Sequence, residues 1–357
     1  MKKVSPINLA GYSGLTLVLV YLFYYLKKVD VSLIYNWQQT IPLSFNESLR
    51  FPGGLSSLLA DLILEFTTQA FYGSLMIALL LVVVFFALKI IFRSDHNSPL
   101  FFALLFASLI PFILLFSHYR LPFELITSIA TALFLGMCYS YYRPGKLGFR
   151  ILGNFLAGIV VFIVSGVPGL VVLLQLLFIQ VLYSRRYLEL VSVLPILIIP
   201  LLYLPFDLAV TVKQAFLGQF LISEYNELPR IYYLSLFSPI LLFLGFSILS
   251  FISSKFTWKR PLLISVCGVI IVILAMVYTT NEKFNVKEKN GYSIIQASFD
   301  EDWDRVLQLT EEATSINNLV QFEVNRALYG TGQLLDKMFY YPQQFGENGI
   351  FLDGFVS

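Results

Sequence analysis

A chain of 357 residues that is 57% hydrophobic and only 13% charged lies far below the roughly one-quarter charged residues of a soluble domain. A formal net charge of +2 without a long basic tract argues against a nucleic-acid surface. The two cysteines, Cys138 and Cys267, both fall in apolar runs and supply neither a disulfide framework nor a metal-ligand spacing. They are expected to be buried small side chains, and no metal or cofactor is predicted.

The apolar residues are concentrated in residues 1–280, in recurring runs of a length that crosses a bilayer as a helix. Unbroken Leu/Ile/Val/Phe runs exclude a membrane barrel, whose strands alternate apolar and polar. The predicted class is therefore an all-α, polytopic helical membrane protein. Lys2 and Lys3 precede the first run, which ends in Lys27-Lys28-Val29-Asp30 rather than a small-residue cleavage site; it reads as a retained helix, not a signal peptide. Nine spans follow in chain order, near 9–27, 72–93, 99–117, 122–141, 150–165, 169–184, 189–206, 231–254 and 262–280. The fifth and sixth form a hairpin around Ser165-Gly166-Val167-Pro168-Gly169, a stretch with tight-turn chemistry.

Loop charges orient these spans. With a cytoplasmic N-terminus the inner loops hold twelve Lys/Arg, from Lys2 to Arg260, against six on the opposite side before residue 281. An odd span count then puts the C-terminus outside the cytoplasm, and the expected location is the bacterial inner (plasma) membrane.

Two long outer connections, 28–71 and 207–230, carry interfacial helices. In the first, Pro52-Gly53-Gly54 breaks the chain before a helix with Leu58, Leu59, Leu62, Ile63, Phe66 and Phe71 on one face and Asp61 and Glu65 on the other. The second mixes Phe216, Phe220, Leu221 and Ile222 with Lys213, Glu224 and Glu227. Ionisable residues gather at the outer helix ends: Asp30, Asp61, Glu65, His118, Arg120, Glu124 and Asp207. Asp30, Asp61 and Glu65 are the candidate catalytic carboxylates; His118, Arg120 and Glu124 are the candidate substrate-binding residues. Deep polar residues are few, and an amide hydrogen bond between Asn154 and Gln180 is expected to hold the hairpin together. No span carries the paired carboxylates or basic series of a proton relay or voltage sensor.

Residues 281–357 are polar and form a separate extracytoplasmic helical segment. Asn290-Gly291 reads as a turn, and Ser298 with Glu301 has capping-box spacing before a helix containing Trp303, Val306 and Leu307. Asn317-Asn318 precedes a second helix broken at Gly330 and Gly332, and a third run from Leu334 stops at Pro342. The stretch from Asn325 to Leu334 looks like one tetratricopeptide-like hairpin. Because one hairpin cannot bury its own apolar face, Trp303, Phe322, Phe339 and Tyr340 are the expected partner-binding residues.

Phe51-Pro52-Gly53-Gly54-Leu55 after the first span, together with Trp303, Asn325, Ala327-Leu328, Gly332 and Leu334 after the last, resembles an uncharacterised Bacteroidetes-type family of polytopic membrane proteins with tetratricopeptide-like helices. The resemblance implies no activity. In that family the repeats continue further, so this chain reads as a shortened member. A more distant architectural similarity is to GT-C membrane glycosyltransferases, in which an acid just beyond the first span, here Asp30, would deprotonate an acceptor hydroxyl beside a lipid-linked sugar. Three functions follow: an envelope protein that docks a protein partner through its outward helices, a GT-C-like transferase acting on a lipid-linked glycan, and a transporter or flippase. The lipid bilayer is the one partner common to all three.

Overall fold

The computed structural model describes residues 6–37, 45–48, 51–92, 99–119, 121–141, 147–185, 187–203, 228–255, 260–311 and 317–346, and no strand occurs among them. The helices are α1 (Pro6–Val29), α2 (Ser32–Trp37), α3 (Phe45–Ser48), α4 (Gly54–Thr67), α5 (Ala70–Ile91), α6 (Phe101–Leu115), α7 (Phe123–Tyr139), α8 (Leu147–Ser184), α9 (Val193–Tyr203), α10 (Arg230–Leu236), α11 (Ser238–Lys255), α12 (Pro261–Lys283), α13 (Val286–Phe299), α14 (Trp303–Glu311), α15 (Asn318–Gly330) and α16 (Leu334–Lys337). Short 3-10 turns cover Tyr187–Ser192 and Met338–Tyr340.

Every predicted span falls on a helix, but not all are long. Four helices, α1, α5, α8 and α12, are long and apolar enough to cross a membrane, and the α10–α11 pair, bent by 67° at its break, makes a fifth. Helices α6, α7 and the apolar part of α9 are shorter. At 38 residues, α8 would be about 57 Å long if straight, roughly twice the hydrocarbon thickness. It is broken at Gly166, whose φ of 66° and ψ of −151° belong to a region that only glycine occupies comfortably. Residues on both sides of the break, Val161 and Phe162 with Leu170 and Leu173, share one apolar cluster with Ile196 and Ile199 of α9.

The opposite ends of the helices meet in two sets. At one end, Lys89 of α5 donates to the Tyr12 hydroxyl of α1 (2.6 Å) and lies 5.6 Å from the Phe102 ring of α6. Phe101 stacks on Phe246 of α11 at 5.3 Å, and the Tyr139 hydroxyl donates to Asn154. At the other end, Tyr21 bonds Thr280, Tyr119 bonds the carbonyl of Val29, and the N–H of Gly53 donates to the carbonyls of Phe162 and Ile163 (3.1 Å each). The last contact joins the two predicted turns: the break at Gly166 frees helix-terminal carbonyls, and the Pro52–Gly54 turn supplies a donor for them.

Several expectations change. Asn154 is bonded by Tyr139 rather than by Gln180, and the amide that bridges helices is Gln175: it donates to Leu236 O (3.1 Å) and accepts from Ile240 N–H (3.4 Å). Cys138 and Cys267 are exposed on helix surfaces, not buried; their neighbours Gly136 and Gly268 make the interhelical contacts instead. Helix α4 buries Ser56, Ala60, Ile63, Leu64 and Thr67, so of the expected apolar face Leu62 and Phe66 stay exposed. Small residues and hydroxyls win that face because they let α4 approach α7 closely: Thr127 donates to Ser56 O (2.8 Å), and the Ser56 and Ser128 hydroxyls pair at 2.8 Å. Of the second outer loop only residues 228–230 are described.

The C-terminal residues form a small unit in which α13, α14 and α15 pack around Ile294, Val306, Val324, Ala327 and Leu328. Asn290 and Gly291 lie inside α13, whose cap is Asn285, with its side chain accepting from Glu288 N–H (3.2 Å). Ser298 is also helical and buried, and its hydroxyl donates to Glu323. The cap before α14 is Asp302, which accepts from Arg305 N–H (3.3 Å). A buried acceptor on α15 thus claims the serine of the expected capping box. Asn317 caps α15 as expected, accepting from Val320 N–H at 2.8 Å, and the helix stops before Gly332, with φ 70°. The stretch from Asn325 to Leu334 is the end of α15, a turn, and the start of a four-residue helix.

Candidate functional site

The candidate residues at the helix ends expected to face outward fall into two corners. The first is built on the C-terminus of α1. Asp30 has φ 63° and its N–H bonds Leu26 O (3.0 Å), so it is the left-handed residue that ends the helix, a conformation that a short polar side chain tolerates better than a branched one. Its carboxylate accepts from Ser32 Oγ (2.6 Å) and steers the chain into α2. The preceding carbonyls, left without intrahelical partners, are taken by distant residues: Tyr119 donates to Val29 O and Lys289 of α13 to Lys28 O (2.7 Å). Lys28 in turn donates to Asn281 Oδ1 (2.8 Å) and lies 4.8 Å from the Phe284 ring. Tyr119 and Tyr292 pack at 5.0 Å between ring centroids.

The electrostatics of this corner favour holding over proton transfer. Burial pushes the Tyr119 phenol far above its ordinary range, and the charges of Asp30 and Glu288 push it further. It therefore remains a protonated donor to Val29 O. Burial lowers the pKa of His118, so its imidazole is neutral near pH 7. Asp30 ends α1, while Lys289, through Lys28 O, and the Tyr119 ring, through Tyr292, hold the C-terminal unit against the apolar bundle. Sequence reasoning missed both clamp residues. The signal for Tyr119 was a large phenol in the few residues joining two predicted spans, where its ring can be buried while its hydroxyl reaches a helix end.

The second corner lies where α4 meets α7. The Glu124 carboxyl in the first turn of α7 lies near Ser57 of α4, and Asp61, one turn further along α4, is within electrostatic range of it. Tyr232 of α10 is close enough to feel the same carboxyl. The candidate catalytic Asp61 and the candidate substrate-binding Glu124 are therefore near one another, whereas Glu65 is exposed. Arg120 and Asp207 lie outside the described residues. Chemically this corner offers two carboxyls and a hydroxyl that could accept or share a proton. Among the described residues no group of three or more His, Cys, Asp or Glu is arranged to hold a metal ion.

The expected partner-binding residues divide. Trp303 is half-buried in its own unit, with the Arg326 guanidinium 5.4 Å from its ring. Phe322 is also half-buried. Phe339 and Tyr340, by contrast, stand out with Leu335 at 85%, 84% and 92% exposure. Elsewhere, exposed aromatic residues gather near the predicted span ends: Tyr24, Phe71, Tyr72, Tyr233 and Tyr278 toward the end expected to face outward, and Tyr12, Tyr141, Phe149 and Tyr187 toward the opposite one. Leu17, Leu79, Val160 and Ile271, exposed between them, are aliphatic.

Among the described residues the protein is all-helical, with four to five helices long and apolar enough to cross a membrane. The chain belongs to a family of unknown function, DUF6057, whose profile matches residues 5–354. No curated protein and no solved structure matches it.

Proposed function

We propose that this chain is a nine-pass protein of the bacterial inner membrane whose C-terminal unit lies outside the cytoplasm and docks a protein partner. Support for the topology comes from the helix ends. Residues assigned to one side by loop charge meet one another, as Tyr12 does with Lys89 and Val29 with Tyr119, and exposed tyrosines flank aliphatic lipid-facing surface. The breaks at Gly166 and Phe237 and the short α6, α7 and α9 account for passes that length alone does not register. The observation that carries the docking reading is the exposed trio Leu335, Phe339 and Tyr340, on a unit held to the bundle by Lys289 and by the contact of the Tyr119 ring with Tyr292. Its use resembles that of a tetratricopeptide-like surface, apolar side chains presented from a rigid helical support. A photo-reactive phenylalanine analogue at position 339, activated in intact cells, should capture one specific protein; the absence of any adduct would overturn the reading.

A second reading, a GT-C-like transferase for a lipid-linked glycan, draws support from the Asp61–Ser57–Glu124 corner rather than from Asp30. It predicts that Asp61→Asn abolishes a surface glycan while Asp30→Asn does not; unchanged glycans in Asp61→Asn would dismiss it. Transport has no such support.

A further inference from the structure

The segment after Tyr341 folds back on α15. Along it Tyr341, Gln343 and Phe345 are half-buried, while Pro342, Gln344 and Gly346 are exposed. Gln343 and Asn325 form a reciprocal amide pair: Gln343 Nε2 donates to Asn325 Oδ1 (3.0 Å), and Asn325 Nδ2 donates to Gln343 Oε1 (3.3 Å). One helical turn earlier on α15, Gln321 Oε1 accepts the backbone N–H of Phe345 (3.1 Å). Positions i and i+4 of the helix thus hold positions j+2 and j of a non-helical strap.

The seat is not fully used. Gln321 is 1% exposed, yet its Nε2 meets no acceptor among the described residues, and a buried orphan donor costs about 1–3 kcal/mol. The strap is also tethered closely: only residues 331–340, including the four-residue α16, connect it to the helix on which it sits. That connection carries the exposed Leu335, Phe339 and Tyr340.

We infer that the partner docked by this unit is a second copy of the same chain, and that the two exchange straps, residues 341–346 of each seating on Gln321 and Asn325 of the other. This rests on the docking reading above and names its partner. The strap is the segment known to fit the seat, so the same segment from another copy fits equally, which is the condition for exchange. Freed from its short tether, an incoming strap can shift to give Gln321 Nε2 a carbonyl. The opened connections bring the two exposed apolar trios together across the two-fold axis.

The test uses two differently tagged full-length chains in one cell, both with Cys138→Ala and Cys267→Ala, one carrying Asn325→Cys and the other Gln343→Cys. A short bismaleimide should give a heterodimer on denaturing gels. A single chain carrying both cysteines, which must cross-link in either case, reports that the unit is folded. Heterodimer absent while that control reacts overturns the exchange. If the analogue at position 339 then captures a different protein, docking stands and the second copy falls; if it captures nothing, both fall.

Discussion

The backbone N–H of Ile240 donates to the side-chain oxygen of Gln175 at 3.4 Å, while the nitrogen of the same amide donates to Leu236 O at 3.1 Å. Leu236 and Ile240 are four residues apart, so they would bond each other in an unbroken helix. Pro239 lies between them and the chain bends there by 67°. One glutamine side chain from α8 therefore occupies the gap in another helix and satisfies both groups that the bend exposes, as an apolar surrounding requires.

Gln175→Leu keeps the volume and leaves both backbone groups unpaired. A loss of about 1–3 kcal/mol is expected, seen as a lower thermal midpoint in detergent. Gln175→Glu, which keeps an acceptor for Ile240, should lose less. Equal stability of wild type and the leucine variant would show that the bend is satisfied without Gln175.

Tyr119→Phe removes the hydroxyl that holds Val29 O, and Lys289→Met removes the ammonium that holds Lys28 O. Each should cost about 1 kcal/mol. Only the Lys289 bond and the contact of the Tyr119 ring with Tyr292 reach the C-terminal unit, so Lys289→Met combined with Tyr119→Ala should release it. Limited proteolysis within residues 286–346 should then quicken, while the apolar bundle keeps its helical signal.

Gly166→Ala places a side chain at φ 66° and ψ −151°. The expected cost is about 1–3 kcal/mol, and the protein should yield less folded material on purification. Gly148→Ala, where a Cβ meets nothing within 4 Å, is the control and should be neutral or slightly stabilising.

His118 gives a pH dependence with a definite sign. Its folded-state pKa lies below the ordinary value of 6.5 because the imidazole is buried. On acidification the unfolded chain takes up the proton first, so stability present above the unfolded pKa is lost as pH falls toward the folded one. The thermal midpoint should drop on going from pH 7.5 to pH 5.5, and His118→Gln should flatten that slope. An unaltered slope would assign the dependence to other groups.

The helical class, the positions of the apolar helices and the break at Ser165–Gly169 were legible because they depend on local quantities: apolar run length and glycine and proline chemistry. Asn317 was legible as a cap for the same reason. Ser298 was not, because its hydroxyl had two possible uses and the buried Glu323 carboxyl, 25 positions away, supplied the better one. The inward face of α4 was not legible because hydrophobicity marks Leu62 and Phe66, which are exposed, whereas the helix packs inward by closeness, through Ser56, Ala60 and Thr67.

The outer end shows the same division. Sequence alone marked Asp30, Asp61, Glu65, His118 and Glu124 as polar residues at helix ends and Phe339 and Tyr340 as aromatic side chains to be accounted for. Only the tertiary structure separated them: Asp30 ends a helix, Asp61 and Glu124 share a corner, and Phe339 and Tyr340 face outward. Local composition sets which segments are helical and apolar. Which polar group answers which exposed carbonyl depends on distances between residues far apart in the chain, as with Tyr119 and Val29, or Gln175 and Ile240.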